Sequence, residues 1–377
     1  MLDTMPAEAF PPGDFLRDEL EERGWTQSEF AEIIGRPVTL VNDIIKGKRG
    51  ITPGTAMELA AALGTSPMLW MNLDASYQLW KLSQTKPRPE RIKTAARVRD
   101  KYPVREMITR RWIEPTEDPD VLELRVREFL HVDSLDDEPC LPFAAKKGAS
   151  LENYNDLSPI QLVWLFRVHN IAGAMVVPPY SEAGLRESLD ELAALTVAPD
   201  EIRHVPALLE RCGVRFVVVE PFKGSKIDGV CFWLNGDPAT PVIGLTLRHD
   251  RIDNFWFVLR HEIEHVLQRH AMLDSDLANR GHPDEVGVQE AQANAAAADF
   301  CVPATRLRDF ITRVGPIFSE KRVVGFARLM ERHPGLVVGQ IQNKTGRYDL
   351  LKKYLVNVRN VLVPNALTDG YGQELPV

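Results

Sequence analysis

The pentapeptide His261-Glu262-Ile263-Glu264-His265 constrains this chain more than any other stretch, because its side chains converge only on an α-helix. Helical residues four apart lie about 40° from one another around the axis and one turn along it, so both imidazoles reach one cation. Glu262 then stands beside the pair, where an activated water would sit. Zinc is the natural guest, since neutral imidazole suits it and a catalytic site keeps one position open. Such an ion lowers the pKa of bound water to roughly 7, and a neighbouring carboxylate takes the proton as the water attacks a carbonyl. The flanks supply helical context. Asp253 or Asn254 is the expected cap, and Phe255, Trp256, Val258, Leu259, Ile263, Val266 and Leu267 read as a mostly buried helix. Arg260, Glu264 and Gln268, each four apart, form the expected exposed stripe.

A core helix that happens to carry two histidines is the competing reading, and a third ligand separates the two. A third histidine ten residues after the first is absent: that position is Ala271, and His270 misses the register by one. The stronger candidate is Glu290, on a helix expected from about Glu285 to Phe300. There Glu290, Ala293, Asn294 and Ala297 share one face, whose alanines allow close packing against the metal helix. Asn294 would then hydrogen-bond a metal-binding group. His282, Asp284 and Glu285 are rivals for the third position.

Composition sets the frame around this site. A chain of 377 residues, 44% hydrophobic and 26% charged, has room for two or three soluble domains with ample core. The formal charge of −8 means that nucleic-acid binding must come from a local patch. Cys140, Cys212, Cys231 and Cys301 include no Cys-x-x-Cys pair, which fits a reducing cytosol and argues against a cysteine-based zinc site. Met1 to Phe10 has no basic flank and no apolar run, and no apolar stretch approaches the 18 or so residues of a membrane span. A cytoplasmic protein is expected, nucleoid-associated when bound to DNA.

Residues 10–82 read as an all-α domain. Pro11-Pro12-Gly13 precedes a helix with Phe15, Leu16 and Leu20 on one face. Thr26-Gln27-Ser28-Glu29 is a capping box that opens a second helix, with Phe30, Ala31, Ile33 and Ile34 inward. Gly35 ends it, and Pro37 starts a third helix carrying Val41, Ile44 and Ile45. Thr52-Pro53 and Ser66-Pro67 each place a cap before a proline that opens a further helix. The tight turn between the second and third helices makes a helix-turn-helix unit, whose third helix enters the major groove. Its outward residues are Thr39, Asn42, Asp43 and Lys46, with Leu40 placed to touch a thymine methyl. Gln27 and Ser28 are placed to bind a phosphate, and Lys46, Lys48 and Arg49 to neutralise more of the backbone. A helical bundle used for dimerisation is the alternative, and residues 13–50 carry six Lys/Arg against eight Asp/Glu.

Residues 83–155 read as a basic, mostly helical connector. From Lys81 to Arg111 there are eleven Lys/Arg against three Asp/Glu, a patch able to add phosphate contacts. Pro87, Pro89 and Pro103 interrupt it, so a hinged linker is expected. Residues 156–365 read as a second domain and 366–377 as a flexible tail. Within the second domain, Ser181–Leu195 and Ala198–Arg211 read as helices. Val214 to Glu220 is a nearly continuous apolar run, hence a buried strand. Gly229–Leu234 and Pro241–Leu247 flank the turn signal Asn235-Gly236-Asp237-Pro238 and suggest a hairpin. A small sheet followed by the paired-histidine helix makes an α+β domain, and residues 225–229 are the candidate lining of its cleft.

Two resemblances sharpen this reading. Trp25-Thr26-Gln27 through Gly35-Arg36-Pro37, then Gly47-Lys48-Arg49-Gly50-Ile51-Thr52-Pro53 and Thr65-Ser66-Pro67-Met68-Leu69-Trp70-Met71-Asn72-Leu73, resembles the XRE-type, lambda-repressor-like fold of HigA-like antitoxins. The likeness implies a homodimer on a two-fold DNA operator, often in its own promoter, and neutralisation of a small RelE- or HigB-like toxin. Phe255-Trp256-Phe257, His261-Glu262, His265, Glu290-Ala291-Gln292-Ala293-Asn294 and Asp299-Phe300-Cys301-Val302-Pro303 together resemble the ImmA/IrrE metallopeptidases, a zincin-like fold. That resemblance implies Zn2+ held by His261, His265 and Glu290, Glu262 as general base, and a protein substrate such as a DNA-bound repressor. Glu264 departs from the family, which usually has a small residue there. His333, in His333-Pro334-Gly335, resembles a late family feature and is a candidate for steadying the oxyanion, with helix termination as the alternative. The expected protein is thus a multidomain regulator that binds DNA and cleaves protein. The rival is a non-catalytic antitoxin or repressor whose peptidase-like half is a structural or sensing module.

Overall fold

The computed structural model describes residues 9–85, 88–137, 139, 157–269, 272–275 and 286–373. The chain divides into two compact units, one ending at Thr94 and the other beginning at Ala95. His270, Ala271, His282, Asp284, Glu285 and Cys140, weighed above, lie outside the described residues. No helix among those described is long and apolar enough to cross a membrane.

The first unit is helical: α1 (Pro12–Arg23), α2 (Gln27–Ile33), α3 (Val38–Ile45), α4 (Pro53–Leu63) and α5 (Pro67–Thr85). The capping box forms as the sequence suggests, Thr26 Oγ1 accepting from Glu29 N at 3.2 Å and the Glu29 carboxylate from Thr26 N at 2.7 Å. Leu16, Leu20, Phe30, Val41, Ile44, Leu59 and Trp70 form its core. Two expectations fail here. Ile33, read as inward, is 51% exposed at the end of α2. Leu40, read as a base-contacting residue, is buried, because with Val41, Ile44 and Ile45 it completes the inward stripe of an amphipathic helix. Leu40→Ala is therefore expected to destabilise this unit by about 2–5 kcal/mol in chemical denaturation, as core truncations do. Thr39→Ala, on the exposed face, is expected to leave stability within about 0.5 kcal/mol; equal losses for the two would contradict the placement.

The second unit begins before the expected boundary. After α6 (Arg88–Lys101) come α7 (Val104–Thr109) and α8 (Pro119–Leu130). Val98, Tyr102, Met107, Leu122, Val126 and Leu130 are buried in one core with α9 (Pro159–Ala174) and the sheet. The segment read as a connector is thus, over residues 95–135, part of the second unit. Helices α10 (Glu182–Leu195) and α11 (Val205–Arg211) lead into β1 (Arg215–Val219), β2 (Ile227–Trp233) and β3 (Pro241–Leu245).

With β4 (Met272–Ser275) and β5 (Leu367–Asp369), these form a five-stranded sheet in the order β4-β2-β3-β1-β5. β2 and β3 are the expected antiparallel hairpin, Cys231 opposite Ile243, while β1 runs parallel to β3 and β5. β5 falls in the expected flexible tail: Thr368 and Asp369 are buried, and Arg167 Nε donates to the Asp369 carboxylate at 2.5 Å. The sheet is covered on both faces. Val217, Val219 and Val230 point toward α9, while Phe216, Val218 and Cys231 point toward the helix of the paired histidines, α12 (Ile252–Gln268). Burial on both sides is the physical reason for the apolar run from Phe216 to Val219 in β1. α13 (Val286–Cys301) lies along α12. Then α14 (Ala304–Val314), α15 (Glu320–Leu329) and α16 (Pro334–Thr345) share a smaller core around stacked Phe310 and Phe326, and α17 (Arg359–Leu362) precedes β5.

Candidate metal centre

α12 supplies three of the four side chains at the centre. Arg251 precedes it without a side-chain cap, and Asp253, expected as the cap, sits in its first turn and accepts both nitrogens of a forked bond from Arg251. The helix is buried on nearly every face: His261, Glu262 and His265 are at most 1% exposed. The expected exposed stripe is only half realised. Gln268 is exposed, but Arg260 is buried and donates to Glu264 Oε2 at 2.7 Å. Glu264 also accepts from Gln268 at 2.9 Å, so this departure from the family pattern is engaged along its own helix.

α13 brings the remaining group. Ala293 and Ala297 are fully buried, and their small side chains let α13 approach α12 closely. One helical turn earlier, the Glu290 carboxylate lies 3.3 Å from His261 Nε2 and 3.4 Å from His265 Nε2. The two Nε2 atoms are 2.9 Å apart. His261, His265 and Glu290 are a group able to hold a metal ion, with ligand atoms within 4.8 Å of one another. For a tetrahedral ion with ligands at 2.0–2.1 Å, neighbouring ligand atoms stand about 3.3 Å apart, so the spacing fits such an ion.

The protonation chemistry suits a cation too. Burial pushes the Glu290 carboxyl up, but hydrogen bonds to both imidazoles outweigh it and hold the group at about 2. Burial lowers the pKa of His265, which favours the neutral imidazole that a metal requires. His261 Nδ1 donates to Asn294 Oδ1 at 3.2 Å, which directs the lone pair of Nε2 toward the centre. His333 is elsewhere: it caps α16, its Nδ1 accepting from Gly335 N at 3.0 Å, and its backbone N–H donates to the Thr196 carbonyl. It therefore starts a helix and makes none of the described contacts with the trio.

Two residues already singled out, Phe257 in the aromatic motif and Gly229 in the candidate cleft lining, take specific places beside the site. Phe257, one turn before His261, stacks on its ring at 6.4 Å; the spacing of four was there to be read. Gly229 on β2 leaves room for Glu262: a Cβ at that position would stand 2.5 Å from Glu262 Oε1 and 2.9 Å from Val258 Cγ1. Gly229→Ala is expected to cost about 1–3 kcal/mol in denaturant unfolding and to displace the carboxylate. A crystal structure of the variant with Glu262 unmoved and full stability would contradict this.

The family comparisons agree with the two units. The helix-turn-helix family model matches residues 16–70, and the model described as the IrrE N-terminal-like domain matches residues 210–324, which contain all four side chains of the centre. This chain belongs to the helix-turn-helix family and carries an IrrE N-terminal-like domain. Among curated proteins, the chain is 30% identical to the HTH-type transcriptional regulator YddM of Escherichia coli, over 20% of this chain and 79% of that one. It is 38% identical to antitoxin HigA-1 of Vibrio cholerae, over 18% of this chain and 65% of that one. Among solved structures, Pseudomonas aeruginosa antitoxin HigA with the higBA promoter is 34% identical, covering 20% of this chain and 83% of that one, with a TM-score of 0.20.

In the helix-turn-helix domain, Gln27, Ser28, Thr39, Lys46, Lys48 and Arg49 are exposed, and Asn42 and Asp43 half-buried. Leu40 is the one candidate reader that the fold removes from the surface. Val38, 41% exposed at the start of α3, stands in the outward position instead. In the IrrE-like domain, all three candidate ligands and Asn294 are brought together.

Proposed function

We propose that this chain is a cytoplasmic, DNA-binding regulator of the HigA type whose IrrE-like domain is a zinc-dependent endopeptidase acting on a protein substrate such as a repressor. The observation that carries the reading is the convergence of His261, His265 and Glu290, with Glu262 on the same helix. The two imidazoles and the Glu290 carboxylate would hold the ion. When bound, zinc supplies Lewis acidity, which polarises a carbonyl and acidifies water. Glu262 accepts the proton of the attacking water at its carboxylate and delivers it to the departing amine. Asn294 keeps His261 in the tautomer that presents Nε2. The buried setting of Glu262 strengthens its electrostatic effect on the reacting atoms.

In the same reading, α3 lies in the major groove of an operator, with Thr39, Asn42, Asp43 and Lys46 toward the bases and Val38 in the role first given to Leu40. Gln27, Ser28, Lys48 and Arg49 contact phosphates, and a homodimer reads the two half-sites. Bound operator would raise the effective concentration of the peptidase near a DNA-bound target. The relatives named antitoxins support a second role for this domain, the neutralising of a RelE- or HigB-like toxin.

Metal analysis of the purified full chain, followed by incubation with candidate regulators, tests the reading. About one zinc per chain and a discrete cleavage product are expected. A chain that takes up no metal from zinc-containing buffer would sink the peptidase half and leave operator binding standing.

A further inference from the structure

A cleft of about 450 Å³ opens beside the metal centre, between the start of α12, β2 and α16. It adjoins the site at two points. Phe257, which stacks on His261, forms one wall, and Asp228, the residue before Gly229, forms another. Its charges are matched internally. Arg248 holds the Asp228 carboxylate with a fork of 3.0 and 2.6 Å, and Arg251 holds Asp253 in the same way at 3.0 and 2.5 Å. The neutral polar groups are not matched. Gln340 on α16 is 8% exposed and makes no hydrogen bond to any described side chain or backbone group through its amide, which lines the cleft together with Asn254 and Asn343. An amide at a cavity wall without a protein partner is held by water in the free chain, and a ligand able to reproduce those hydrogen bonds can take the water's place.

Resting on the peptidase reading above, we propose that this cleft is the subsite for one uncharged, amide-bearing side chain of the substrate polypeptide, with Gln340 as the group that reads it. The paired arginines and aspartates leave no net charge to receive a Lys or Glu side chain, and His249, which also lines the cleft, stands 3.9 Å from the Asp228 carboxylate. An apolar side chain would displace water from Gln340 and leave its amide unsatisfied. A Gln or Asn side chain offers both a donor and an acceptor, as the Gln340 amide requires.

The test uses dipeptide hydroxamates, whose headgroup binds zinc, carrying Gln, Leu, Lys or Glu beside the headgroup. Binding to the zinc-loaded full chain is read by calorimetry, not by turnover. The Gln compound is expected to bind at least about tenfold tighter than the other three. In Gln340→Leu, close in size, the Leu compound is expected to match or overtake it. Should that variant fold poorly, Asn343→Ala at an exposed position is expected to narrow the Gln-to-Leu ratio at least about threefold. Equal binding of the four compounds, a preference for another of them, or a Gln preference unchanged by the variants overturns the subsite and leaves the metal centre standing. Failure of every hydroxamate to bind overturns the metal reading itself.

Discussion

Glu262→Gln is expected to lower the rate of peptide cleavage by about 10²–10⁴, the usual contribution of a positioned general base, while zinc content is unchanged. The substitution keeps the volume and one hydrogen-bonding oxygen of a side chain that is wholly buried beside Gly229, so neither packing nor the three ligands need move. What it removes is the ability to hold a proton between attack and departure of the amine. The measurement pairs metal analysis with single-turnover cleavage on native and variant protein. A zinc-loaded variant that cuts at the native rate would remove Glu262 from the chemistry and hand the base role to another group.

The second large effect is expected at Glu290. Glu290→Ala takes away the single ligand that α13 contributes and leaves two imidazoles, one short of a zinc site. Native protein in zinc at a thousand times the dissociation constant gains about 4 kcal/mol of stability by linkage, seen as a rise in Tm. The variant is expected to lose nearly all of that zinc-dependent rise. Asn294→Ala should act more mildly, weakening zinc affinity about 10–100-fold, because it orients His261 without touching the ion. Native-like zinc stabilisation in Glu290→Ala would mean that a different group completes the site.

Much of this fold could be read locally. The capping box at Thr26 and Glu29 signals itself within four residues, and it forms. The apolar run at residues 216–219 is a strand buried on both faces, as its lack of alternation implied. Leu40 belongs to the inward stripe with Val41, Ile44 and Ile45, a spacing already present in its own helix. In the segment read as a connector, Leu122, Val126, Phe129 and Leu130 recur at helical spacing, the mark of a helix with one face in a core. β5 is different in kind. Its three residues carry no local strand signal and are ordered by pairing with β1, about half the length of the second unit away in sequence.

The same division runs through the metal centre. The chain alone determined the pairing of His261 with His265 and the place of Glu262, because one helical turn sets those positions whatever surrounds it. It also proposed Glu290 over its rivals, from an alanine-lined face. Tertiary structure alone decided that this carboxylate stands 3.3 and 3.4 Å from the two imidazoles, that Gly229 gives Glu262 its room, and that Arg260 turns inward to Glu264. Spacing along a helix is a local property of the backbone. The approach of α13 and β2 to that helix depends on how the whole domain packs.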